Sequence, residues 1–188
     1  MASSRPNIIV FFTDQQRADT TGAHGNPAGL TPNFDRMASE GTHVYNSFTC
    51  QPVCGPARSC LQTGMFANQT GVWRNGYRPH DHLKMLGTRF SEAGYSTGYI
   101  GKWHLMPHEF QGPVPQEGRG GYDYWLGANL LEFVSGPYDT HLWDKNDQEV
   151  KLPGYRVDAQ TDAAIRYIDD KAEAENPFFL FLSYLEPH

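Results

Sequence analysis

Five consecutive residues, Cys54-Gly55-Pro56-Ala57-Arg58, carry the strongest chemical pattern in this chain. A cysteine supplies a nucleophile or an oxidisable sulfur. Pro52 and Pro56 stiffen the backbone on either side and limit its retreat into a core. The stretch Pro56 to Thr63 predicts a short helix, with proline near its first turn and Gly64 at its end. Cys54 is therefore expected at or just before a helix N-terminus, where backbone N–H groups favour an anion or a developing negative charge. Arg58, one turn on, adds a fixed fork of donors nearby. An ordinary loop thiol is the plain alternative, since Cys-x-Pro-x-Arg follows a given cysteine by chance about once in 300 to 400 cases.

Three further groups could do chemistry. Asp14 and Gln15 follow the apolar run Asn7 to Thr13, and both carry oxygens suited to a hard cation such as Ca²⁺ or Mg²⁺. A turn-capping Asp14 is the plain alternative. Lys102 and His104 close another predicted strand, and strand alternation would put both on one face. There an ammonium and an imidazole can neutralise an oxyanion and move a proton; a solvated lysine and a surface histidine are the alternative. His188 follows Glu186-Pro187 after a strongly apolar segment. His24, His43, His80, His82, His108 and His141 sit in no motif and read as surface or core residues.

These groups need positioning elements. Asn7 to Thr13, bounded by Pro6 and Asp14, predicts a buried strand. Thr31 caps a helix with Pro32 in first position, running to about Glu40 and stopped by Gly41. Val44, Tyr45 and Phe48 suggest a short strand or extended segment, and Leu83 to Ala93 a helix ending at Gly94. Ser96 to Gly101 is the next strand. Pro107 to Pro153 shows little periodicity and predicts loops and short strands. Ala159, Ala163, Ala164, Tyr167 and Ile168 give Val157 to Ala174 helical spacing, and Phe178 to Tyr184 is the final strand. Alternating strands and helices imply an α/β sandwich, a largely parallel central sheet flanked by helices. In such sheets sites form beyond the carboxyl ends of strands, which is where Asp14-Gln15, Lys102-His104 and Glu186-His188 all fall.

Composition narrows the classes. The 188 residues, 39% apolar and 19% charged, suit a folded domain with a sizeable core. A net charge of −6 argues against nucleic acid or an acidic membrane as partner, while leaving room for a local basic pocket. No apolar stretch has membrane-spanning length. Met1 to Arg5 shows no apolar signal region, which implies a cytoplasmic protein as written, or a periplasmic or secreted one if a signal peptide has been removed. Cys50, Cys54 and Cys60 form neither a disulfide framework nor a zinc pattern; Cys50 and Cys60 read as buried small apolar residues.

The extension Ser59-Cys60-Leu61-Gln62-Thr63-Gly64, together with Gly94 to His104, Pro6 to Gln15 and Thr31 to Arg36, resembles in order the motifs of type I sulfatases of the alkaline phosphatase superfamily. The resemblance covers nearly the whole chain and implies hydrolysis of a sulfate ester to an alcohol and inorganic sulfate. It implies that a maturation enzyme oxidises Cys54 to formylglycine, whose hydrate attacks sulfur. It further implies a divalent metal, Ca²⁺ before Mg²⁺, on Asp14, Gln15 and the oxidised Cys54. Arg58 would hold the nucleophile and metal-site carboxylates, Lys102 and His104 the sulfate, and His188 would protonate the leaving oxygen. The substrate would be a sulfated small molecule or glycan.

Sulfatases commonly have two consecutive aspartates where this chain has Asp14-Gln15, a change that removes one negative charge. They are also much longer, with further metal ligands and a sulfate-binding lysine downstream. The expectation is that residues 1–188 form the N-terminal part of such a catalytic domain, weakly active and aggregation-prone alone. Two other readings share the pattern. One is a phosphonate or phosphate ester hydrolase with the same site. The other is a non-catalytic protein that binds sulfated ligands with Cys54 unmodified.

Overall fold

A computed structural model describes residues 5–188. Met1 to Ser4, part of the stretch read above as lacking a signal region, lie outside the described residues. In chain order the main elements are β1 (Ile8–Asp14), α1 (Pro32–Glu40), α2 (Cys54–Thr63), α3 (Ala67–Thr70), α4 (Leu86–Glu92), β2 (Ser96–Lys102), β3 (Tyr124–Ala128), α5 (Leu131–Val134), β4 (Thr140–Asp144), β5 (Glu149–Leu152), α6 (Arg156–Ala172) and β6 (Phe178–Pro187).

The six strands form one sheet in the order β1-β6-β2-β3-β4-β5. β1, β6, β2 and β3 run parallel, and the β4-β5 hairpin adds an antiparallel edge. β6 is apolar on both faces because it is central. Leu180, Leu182 and Tyr184 pack with Ala159, Ala163, Ala164 and Tyr167 of α6. Phe179 and Phe181 turn the other way, into a cluster with Tyr99, Trp103, Trp125 and Phe90. The Phe90 and Phe179 rings stack at 3.9 Å between centroids. This is the expected α/β sandwich, with one revision. β1, expected to be buried, is left open on one side, with Ile9 and Phe11 exposed at 48% and 65%.

Other expectations shift locally. Val44, Tyr45 and Phe48 form no strand and are exposed. α4 begins at Leu86, three residues later than the pattern suggested. Thr31 stands at the N-cap position of α1, but its hydroxyl bonds the Asp35 carboxylate (3.0 Å) and accepts from Gly22 N–H (3.0 Å), not from the helix backbone. Cys60 is buried as expected, whereas Cys50 is exposed. Within the region read as loops and short strands lie β3, α5, β4 and β5.

The sheet closes tightly at its site end. Gly101 has φ +112°, and a Cβ there would stand 1.9 Å from the Ser183 carbonyl oxygen. Only glycine permits that backbone and that approach. The result brings the Ser183 hydroxyl 2.8 Å from the Lys102 carbonyl, across the seam between β6 and β2.

Candidate active site

β1 ends at Asp14, which is buried, and Gln15 turns the chain out with φ +57°. α2 starts at Cys54 itself, after Val53 in extended conformation, and closes at Gly64 in the left-handed region, φ +73°. The N-terminus of α2 is pinned by Asn75, whose Oδ1 accepts from Gly55 N–H at 2.8 Å. One turn along, Arg58 is buried, with both terminal nitrogens engaged and Nε without a partner. Its guanidinium donates to the Lys102 carbonyl (2.8 Å), Ser183 Oγ (2.7 Å) and Asp14 Oδ2 (3.2 Å), and lies over the Phe12 ring.

Lys102 ends β2 and is wholly buried, which excludes the solvated reading. Its Nζ lies 2.8 Å from Asp14 Oδ2 and 3.0 Å from Glu132 Oε1. His104 does not alternate with Lys102 along a strand, because β2 stops at Lys102 and His104 has φ +56°. The two still meet at one carboxylate, since His104 Nδ1 is 4.0 Å from Glu132 Oε1. Its N–H bonds the Asn129 carbonyl at 2.8 Å, while both ring nitrogens are buried without a partner. Non-glycine residues in the left-handed region are costly and cluster at functional sites; two of the three among the described residues are Gln15 and His104. His188 Nδ1 stands 3.6 Å from Asp14 Oδ2.

Sequence reading named Cys54, Arg58, Lys102, His104 and His188 for catalysis and Asp14, Gln15 and Cys54 for a metal; Arg58, Lys102 and His188 meet at Asp14, and His104 meets Lys102 at Glu132. It missed Glu132, Ser183 and Asn75. Glu132 lies in a stretch without periodicity, and Ser183 sits inside the apolar run Phe178 to Tyr184, where no motif marks it. His108, read as a residue without a motif, lies 6.3 Å from His104, ring to ring.

Asp14, Gln15, Cys54 and Arg58 line one cavity of about 480 Å³. Among the described residues no three His, Cys, Asp or Glu side chains converge as a metal cage. The donor set still fits part of a hard-cation site. The ion pairs of Asp14 all run through Oδ2, and the Gln15 amide adds an oxygen at the same cavity.

Burial pushes the Cys54 thiol up, and Lys102 and Arg58 do not fully offset it, so the thiol stays protonated at neutral pH. Burial also pushes Asp14 and Glu132 up, but Arg58 and Lys102 outweigh it for Asp14, and Lys102 for Glu132. Both carboxylates end below their ordinary values. Their stabilisation is present above the unfolded carboxylate range and is lost as pH falls through the lower folded values. His104 acts in a separate window. Burial pushes its ring down to about 4, Lys102 adds to this, and Glu132 opposes it. The unfolded chain binds a proton near 6.5 that the folded chain refuses, so His104 costs stability as pH drops from about 6.5 to about 4. His104→Asn, which tolerates the left-handed backbone, is expected to flatten the pH dependence of the urea midpoint across that window. An unchanged slope would contradict the assignment.

The sulfatase family model matches residues 6–188. The uncharacterized sulfatase YidJ of Escherichia coli (strain K12) is 35% identical over 193 residues, covering 98% of this chain and 39% of that protein. An ulvan-active sulfatase of Formosa agariphila is 35% identical over 188 residues, covering 98% of this chain and 36% of that protein. A solved structure, bound to its substrate D-glucosamine-2-N,6-O-disulfate, matches with a TM-score of 0.85 and 30% identity, over 98% of this chain and 35% of the other. The chain therefore spans well under half the length of these proteins.

Proposed function

The chain belongs to the sulfatase family, and from that premise we propose that its site hydrolyses a sulfate ester to an alcohol and inorganic sulfate, with Cys54 as the nucleophile position. The observation that carries the reading is the buried set Arg58–Asp14–Lys102, of which Asp14 and Arg58 line the cavity where α2 begins with Cys54 and Lys102 stands behind them on Asp14. Two fixed cations beside a helix N-terminus suit an oxyanion, and their burial strengthens their field.

A protonated, half-buried thiol is a poor nucleophile, which favours the family's route in which a maturation enzyme converts Cys54 to formylglycine and so supplies an oxygen nucleophile. A hard divalent cation, Ca²⁺ before Mg²⁺, would be held by Asp14, Gln15 and the Cys54-derived group, and when bound would supply Lewis-acid polarisation. The chain's own residues do the rest. Arg58 locks the end of β1 to the seam of β2 and β6, which fixes Asp14 against α2. Lys102 presents its ammonium to the oxyanion. His104, neutral at physiological pH, accepts a proton at a ring nitrogen. His188, beside Asp14, donates one to the departing alcohol oxygen.

The relatives, one named for activity on ulvan and one bound to a disulfated glucosamine, support a sulfated glycan or its fragment as the substrate class. The test is turnover of an aryl sulfate against the matching aryl phosphate by the mature full-length enzyme. The expected result is preference for the sulfate, loss on chelation and recovery with Ca²⁺. Preference for the phosphate would move the protein to the phosphate or phosphonate ester class.

A further inference from the structure

Glu132 reaches the site from α5, just past the end of β3. Its Oε1 lies 3.0 Å from Lys102 Nζ and 4.0 Å from His104 Nδ1. Its Oε2 is buried without a partner. Lys102 already has a carboxylate in Asp14, at 2.8 Å. A second, largely buried carboxylate carries a desolvation cost, and a pair retained for stability alone would satisfy both oxygens. The permanent charges show what it adds. Arg58 and Lys102 contribute two positive charges, Asp14 and Glu132 two negative ones, so these four groups sum to zero. Without Glu132 the sum is positive, and any oxyanion, substrate or product, is held more tightly. Tight binding that does not discriminate the transition state lowers KM without raising kcat, and it slows product release. Glu132 is also the one anion among the charged and titratable groups facing the His104 ring, the others being Lys102, Arg58 and His108.

We propose that Glu132 is a positioning residue that fixes the Lys102 ammonium and offsets its charge, so that a sulfate-sized oxyanion is bound loosely enough to leave. The inference rests on the sulfate-ester reading above.

The test compares wild type, Glu132→Gln and Glu132→Asp in the mature full-length enzyme, at one fixed concentration of divalent salt. Calorimetry reads the Kd for inorganic sulfate, and steady-state kinetics with an aryl sulfate reads kcat and KM separately. Removing one charge beside Lys102 should tighten sulfate by about tenfold or more in Glu132→Gln, with KM and kcat both falling. Glu132→Asp draws the charge back and should move Kd the same way, by about two- to threefold. A merely structural role would lower the unfolding midpoint without tightening sulfate. Wild-type or weaker sulfate affinity in Glu132→Gln, or in Glu132→Asp if the first variant does not fold, overturns the inference alone. A wild-type enzyme that neither binds sulfate nor turns over its esters overturns the sulfate-ester reading, and this inference with it.

Discussion

Cys54→Ala is expected to abolish turnover of a sulfate ester, by ~10⁴-fold or more, with the denaturant midpoint close to wild type. The two halves of this expectation come from different observations. Cys54 opens α2 on the cavity shared with Asp14, Gln15 and Arg58, so its removal takes away the group that would meet sulfur. The side chain is half-buried, and α2 is held by Asn75 at Gly55 and by the Arg58 network, neither of which uses the thiol. A near-normal rate in the variant would remove Cys54 from the mechanism. A collapsed midpoint would instead make it a structural residue.

Lys102→Met should be the most destabilising change at the site. It leaves Asp14, which is buried, with only Arg58 and His188, and leaves the partly buried Glu132 without its Lys102 ion pair. Breaking a buried pair by removing one partner typically costs about 3–5 kcal/mol, and here two carboxylates lose the same partner. Glu132→Gln in the same chain removes one of the stranded charges. The double variant is therefore expected to recover ~1–3 kcal/mol over Lys102→Met while remaining inactive, a coupling that urea unfolding of the four-member cycle reads directly. Strictly additive losses would mean that Lys102 and Glu132 do not interact as the 3.0 Å contact implies.

The elements that were legible in the sequence are those whose pattern is local. The apolar runs before Asp14 and after Pro177, the Pro32 and Gly64 boundaries, and the helical spacing of Ala159, Ala163, Ala164 and Tyr167 each express a rule of a few residues. Asp14, Lys102 and His188 fell at the ends of such elements, so their convergence followed from the rule for parallel sheets. Glu132 was not legible, because its partner Lys102 is thirty positions away and α5 is too short to show a period. Ser183 was hidden for the opposite reason. Inside an apolar strand it reads as a flaw, and only the approach at Gly101 shows that its hydroxyl bridges Arg58 and the Lys102 carbonyl. The strand-alternation argument for His104 reached the right neighbourhood by a route the backbone does not take, since a positive φ, not a pleat, brings the ring to Glu132.

The chemistry rests on what Cys54 becomes. Trypsin releases one peptide, Met37 to Arg58, which carries both Cys50 and Cys54. Its mass should be read from enzyme that turns over an aryl sulfate, after alkylation. Conversion of a thiol-bearing carbon to an aldehyde lowers the mass by about 18 Da and removes one alkylation site. The expected peptide is lighter by that amount and alkylated once, at exposed Cys50. A peptide alkylated at both cysteines, from protein that still hydrolyses the sulfate ester, would contradict the assignment of Cys54 as the precursor of the nucleophile.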